Sequence, residues 1–117
     1  FFSWCGGHSL CTLDFPYGHC RLDGEDFARY IRQFRPREET IALNFYNESL
    51  NRMSLRSLRD CARQAGFEIL SILPWYHKGR LNGLEDSMLR QVQAHYPSVT
   101  IEDLLADVVW VLLGKPA

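Results

Sequence analysis

The sequence predicts an α/β fold in which helices outnumber strands, and three observations carry that prediction. Apolar residues recur at helical spacing in several stretches between residues 25 and 65. A Gly66-Phe67 junction then opens the apolar run Phe67–Leu73, of strand length and rich in branched side chains. Near the end, Val108-Val-Trp-Val-Leu-Leu is unbroken apolar sequence, as expected of a strand covered on both faces.

Residues 1–24 carry Gly6-Gly7, Asp14, Pro16, Gly18 and Gly24 among aromatics, a pattern of loop punctuation with a short strand near Cys11–Phe15. Glu25–Phe34 reads as the first helix: Phe27, Tyr30, Ile31 and Phe34 share a face, and Asp23 or Gly24 caps it. Pro36 separates it from a second helix over Arg37–Asn51, whose apolar stripe is Ile41, Ala42, Phe45, Tyr46 and Leu50. A third helix starts after the N-cap Ser54. It turns Leu55, Leu58, Cys61, Ala62 and Ala65 inward, making Cys61 a small buried hydrophobe, and stops at Gly66. Pro74 is expected to end the strand Phe67–Leu73, and His77–Gly83 reads as a polar turn. A fourth helix spans about Leu84–His95. Thr100-Ile-Glu-Asp then resembles a capping box that opens a short helix to Ala106. Trp4, Trp75 and Trp110 read as packing residues.

Composition limits the function classes. A chain of 117 residues with 46% hydrophobic and 23% charged residues has the make-up of one soluble domain. A formal net charge of −1 gives no electrostatic reason to expect nucleic acid or an anionic membrane as partner. No apolar run approaches the roughly 20 residues of a spanning helix. Four cysteines, with Cys61 on a helix face, do not make a secreted disulfide scaffold, so reduced thiols and a cytoplasmic location are expected. The chain starts at Phe1 rather than Met, which leads us to expect a portion of a longer reading frame.

The junction Gln64-Ala-Gly-Phe-Glu, the strand it opens and the closing Val108–Leu113 followed by Lys115-Pro116 resemble the C-terminal end of class I S-adenosylmethionine-dependent methyltransferases. The resemblance covers about the last 60 residues, and more weakly a lid-like stretch from Gly6 to Leu22. It implies a C-terminal fragment of a Rossmann-like fold with an antiparallel last strand pair. Residues 1–53 would be a lid or substrate-side insertion. Residues 54–117 would supply a helix, a strand, a helical insertion and the last strand. The implied function is methyl transfer from S-adenosylmethionine to a small-molecule or cell-surface-precursor acceptor. The cofactor would be bound mainly by an N-terminal part not included here, because no strand–Gly-rich loop–helix is present. The fragment alone is expected to be inactive, and to self-associate through an exposed sheet edge.

Candidate site residues follow from chemistry and from that resemblance. His8 and His19 are candidate catalytic bases, since a hydroxyl or amine acceptor loses a proton as it attacks and imidazole accepts one near neutral pH. Tyr17, Asn44, Tyr46, Asn47, Asn51 and Arg52 are candidate substrate-binding residues. The three asparagines share a helix face at i, i+3 and i+7, the pattern of a pocket wall or of a solvated face. Arg52 could pair an acidic substrate group or form a surface ion pair. No metal is assigned. The alternative is a small non-enzymatic α+β interaction module, with or without an N-terminal loop stabilised by zinc drawn from Cys5, His8, Cys11, His19 and Cys20.

Overall fold

The computed structural model describes residues 2–4 and 13–116. Helix and sheet are mixed: among the described residues there are seven helices and two antiparallel strands. The helices are α1 (Gly18–Arg21), α2 (Gly24–Phe34), α3 (Glu39–Asn44), α4 (Leu55–Gln64), α5 (Lys78–Leu81), α6 (Asp86–His95) and α7 (Ile101–Leu105). The strands are β1 (Glu68–Tyr76) and β2 (Ala106–Gly114). Among the described residues no helix is long and apolar enough to cross a membrane.

Helix starts follow the local chemistry expected of them. Asp23 accepts from the Asp26 amide at 2.8 Å and caps α2. Ser54 and Ser57 form a reciprocal capping box at the start of α4. At its other end Gly66 takes φ +79°, the left-handed value that glycine adopts without Cβ strain. Thr100 and Asp103 make the second capping box, on α7. Asp103, which is buried, does more than cap its own helix. Its Oδ2 accepts from the Thr100 amide at 2.9 Å, while its Oδ1 accepts from the Leu55 amide at 2.7 Å, tying the first turns of α7 and α4 together.

The second helix departs from the expected single span. It opens as a 3-10 turn at Pro36–Glu38, continues as α3, and finishes as a π-helical turn at Phe45–Ser49. The Leu50 amide reaches back to the Phe45 carbonyl at 3.1 Å, and this wider turn keeps Leu50 on the buried face with Ala42 and Tyr46. Ile41 is left 57% exposed. Leu13–Phe15 form no strand, and the remainder of the expected strand near Cys11 lies outside the described residues. Residues 78–81, read as part of a polar turn, close one helical turn as α5.

β1 runs through Pro74 to Tyr76 rather than ending before it. Proline is tolerated because, among the described residues, β1 has a neighbour on one side only, so the missing N–H need not belong to a ladder. The register pairs Leu73 with Trp110 and Trp75 with Val108, with a bulge between Ile69 and Ser71. The bulge breaks the simple alternation expected over Phe67–Leu73, so Ile69 and Ser71 face opposite sides. Leu73, Trp75, Trp110 and Leu112 share one face and are 62%, 53%, 71% and 60% exposed. The reading of Trp75 and Trp110 as packing residues is therefore corrected, because no layer among the described residues covers that face. The other face receives α4, which packs along β1. This lone layer leaves Cys61 on an open side of α4, exposed rather than buried.

Two helical cores hold the rest together. Leu13, Phe27, Ile31, Ala42, Tyr46 and Leu50 form one. Phe2, Tyr17, Cys20, Val92, Val99 and Leu104 form the other. α1 joins them: Gly18 lies against Leu13, while Arg21 donates to Gln91 of α6 at 2.6 Å. No residue of the ribbon beyond Ala106 is fully packed. The radius of gyration is 15.6 Å. A closed domain of this length would have about 13 Å. The helices gather where β1 ends and β2 begins, since residues 77–105 connect Tyr76 to Ala106 and α4 is anchored there by Asp103.

Candidate functional site

The helical layer at the carboxyl end of β1 contains a group of buried polar side chains around α1. His19 is fully buried, and neither ring nitrogen finds a hydrogen-bond partner among the described residues. Burial lowers its pKa from 6.5 to about 4, with the Arg52 charge as the second cause, so the ring is neutral at pH 7. Cys20, the next residue, donates its thiol to the Tyr17 carbonyl at 3.3 Å. Burial pushes that thiol up to about 12, against the pull of Arg52 and Arg21, so it is protonated at pH 7. Tyr17 packs against Trp4, with ring centroids 5.5 Å apart, and its buried hydroxyl also lacks a partner among the described residues. Burial raises the phenol to about 12; Arg80 lowers it and Asp107 raises it.

Arg52 lies in the loop between α3 and α4, and its charge acts on His19 and Cys20. Its backbone is left-handed, with φ 48°, a conformation that L side chains adopt rarely. The guanidinium lies 4.2 Å from the Tyr46 ring centroid, and Tyr46 in turn stacks on Phe27 with centroids 4.0 Å apart. Its two terminal nitrogens donate to the Leu50 carbonyl at 2.9 Å and the Tyr46 carbonyl at 3.1 Å. Nε is buried without an acceptor, and no carboxylate pairs with Arg52 among the described residues. The alternative of an ordinary surface ion pair is not what the geometry contains. Tyr96 belongs to the same neighbourhood. Burial raises its phenol, and Arg52 opposes that rise.

Of the candidates read from the sequence, Arg52 acts on His19 through its charge, Tyr46 lies beneath Arg52, and Tyr17 is the N-cap of the helix that carries His19. Asn44, Asn47 and Asn51 are exposed and do not join them; Asn51 accepts from the Met53 amide at 3.1 Å. His8 lies outside the described residues, as do Cys5 and Cys11 of the zinc alternative. Among the described residues no three His, Cys, Asp or Glu side chains converge as metal ligands. Sequence reading missed Tyr96 as a neighbour of this group. Tyr96 lies 44 positions after Arg52, and no local pattern links them.

Comparison of the chain with models of known protein families, with curated proteins and with solved structures gives no match.

Proposed function

We propose that this chain is the C-terminal portion of a class I S-adenosylmethionine-dependent methyltransferase, carrying the last two strands of the sheet and a substrate-side lid. The observation that carries the reading is the β1–β2 ribbon. It is antiparallel, β2 is apolar on both faces, and one edge of β2 and one whole face have no cover among the described residues. Such a strand suits the interior of a larger sheet, where a neighbour on the free edge and helices on the open face would remove it from water.

Placement of the helical layer supports the same reading. In open α/β sheets ligands bind beyond the carboxyl ends of the strands. Tyr76, at the carboxyl end of β1, pairs with Ala106 where α7 ends, and α1, which carries His19, is tied to α6 of the same connection. S-adenosylmethionine, held by residues outside this chain, would supply an electrophilic methyl group. The chain's own part would be to enclose a small-molecule or cell-surface-precursor acceptor, exclude water and accept its proton at a nitrogen of His19, which keeps a free lone pair because it is neutral.

The test is binding of labelled S-adenosylmethionine to the protein translated from the whole reading frame that contains these residues. Saturable binding is expected, together with slow amide exchange at Val108–Leu113 in that protein and fast exchange in the 117-residue chain. Absence of cofactor binding, with the same exchange in both forms, would overturn the reading. The exposed Leu73–Trp110 pair would then favour the alternative, a non-enzymatic interaction module that uses this aromatic face for a protein partner.

A further inference from the structure

Beside α1 the surface is hollowed in two places that share a wall. One hollow, of about 420 Å³, is lined by Phe15, Arg21, Leu22 and Gln91. The other, of about 240 Å³, is lined by Phe15 and Leu22 again, with Tyr30, Phe34 and the Asp26–Arg29 pair of α2. Three rings form a continuous side of this second hollow. Phe15 meets Tyr30 edge-on with centroids 5.9 Å apart, and Tyr30 meets Phe34 at 4.8 Å. Phe34, at the end of that row, is 58% exposed.

Arg21 is the charge of the first hollow. Its Nε donates to Gln91 Oε1 at 2.6 Å and its Nη1 to the Pro16 carbonyl at 3.0 Å, while the guanidinium carbon lies 5.1 Å from the Phe15 centroid. These contacts fix the plane of the fork, yet none supplies a negative charge, and among the described residues no carboxylate pairs with Arg21. Nη2 has no acceptor among them. Nor has the Gln91 amide nitrogen, because Gln91 turns its oxygen toward Arg21. The carboxylates beside the aromatic hollow are already engaged: Asp26 pairs with Arg29 at 2.8 Å, and Asp14 accepts from the Tyr30 hydroxyl at 2.6 Å.

We propose that the two hollows form one binding site for a small aryl carboxylate, an aromatic ring joined to a carboxyl group by a short linker. The carboxylate accepts from Arg21 Nη2 and the Gln91 amide nitrogen, giving the guanidinium the counter-charge it lacks. The ring passes Phe15 and Leu22 and lies against Tyr30 and Phe34. A cavity of about 150 Å³ suffices for benzene, so about 240 Å³ takes one ring and little more. The 5.1 Å from the guanidinium to Phe15 and the 5.9 Å onward to Tyr30 set a linker of about two or three bonds. A cation would be repelled by Arg21, and a purely apolar ligand would cover the guanidinium without pairing it. The site draws on residues 15–34 and Gln91, and is independent of the methyltransferase reading.

The experiment is an NMR titration of the labelled 117-residue chain with hydrocinnamate, in chloride buffer at pH 7 and constant ionic strength. Propionate, which lacks the ring, and hydrocinnamyl alcohol, which lacks the charge, are titrated in parallel. Expected are saturable shifts of the Arg21 Nε–H, the Gln91 side-chain amide and the Phe15 and Phe34 rings, with a Kd on the order of 1 mM for a ligand of about 11 non-hydrogen atoms. Each control compound should bind at least about tenfold more weakly. Gln91→Glu sets a carboxylate beside Arg21, and should abolish the response by supplying the counter-charge from within. Phe34→Ala, at an exposed ring, should weaken binding severalfold; circular dichroism confirms that each variant is folded. Equal affinity for either control compound, an undiminished response in folded Gln91→Glu, or no saturable shift up to about 20 mM hydrocinnamate overturns the proposal. If Gln91→Glu does not fold, the three ligands compared on the wild-type chain decide alone.

Discussion

Acidification should weaken this protein through one residue, and the size of the effect can be worked out. His19 is fully buried, and burial aided by Arg52 holds its pKa at about 4 against an ordinary value of 6.5. The unfolded chain therefore takes up a proton first. The stabilisation from a neutral buried ring is fully present above pH 6.5, is lost progressively as the pH falls, and stops declining once the folded protein also protonates near pH 4. At 1.36 kcal/mol per unit, the loss between those limits is about 3 kcal/mol. That is a large share of the roughly 5–15 kcal/mol that holds a domain of this size together. The assay is urea unfolding from about pH 7.5 to about pH 4 in chloride buffers free of carboxylate and phosphate, comparing wild type with His19→Gln. The variant is less stable overall, but its side chain does not titrate, and contributions from Asp and Glu residues cancel in the difference. Wild type should lose about 3 kcal/mol relative to the variant across that range. A difference that stays flat to within about 0.5 kcal/mol would show that the imidazole is solvated or already paired, and would refute the reasoning.

The other expectations test separate links. Asp103→Ala removes the carboxylate that accepts from Leu55 and Thr100, and should lower unfolding free energy by about 4 kcal/mol, with Asp103→Asn losing roughly half of that, by chemical denaturation. Gly18→Ala places a Cβ 2.6 Å from Leu13 Cδ1 and 2.8 Å from its Cβ, so the α1 junction between the two cores must shift. A loss of about 2 kcal/mol is expected, read as a lower midpoint in the same assay. Gly66→Ala forces a side chain into the left-handed region and should cost about 1 kcal/mol despite open space around it. Trp110→Lys alters a side chain that is 71% exposed. It should reduce self-association and dye binding in light scattering and fluorescence while changing stability by less than about 0.5 kcal/mol; a collapse of folding there would show that the ribbon face is already packed.

What could be read from the sequence is what neighbours in sequence decide. Asp23, Ser54, Gly66 and Thr100 mark helix ends because the atoms that satisfy the terminal amides and carbonyls lie within a few positions of them. Phe27 and Ile31 lie in the core as their helical spacing implies. Reading was less successful where distant parts of the chain meet. Helical periodicity over residues 37–51 cannot reveal the π turn that carries Leu50 inward, because that turn answers to packing against Phe27 and Leu13. Cys61 and Trp110 were assigned inward faces on their apolar character, and both are exposed because a second layer is absent from the described residues.

The candidate site divides along the same line. The sequence by itself determined what His19 and Arg52 can donate or accept, along with the strands, the caps and the apolar character of β2. Only the tertiary structure decided that His19 would be dry and neutral, that the Arg52 charge would act on it, and that the asparagine row would face solvent. Residue type fixes what a group can donate or accept. Its solvation and the charges around it come from segments 30 or more positions away, and those are set by folding alone.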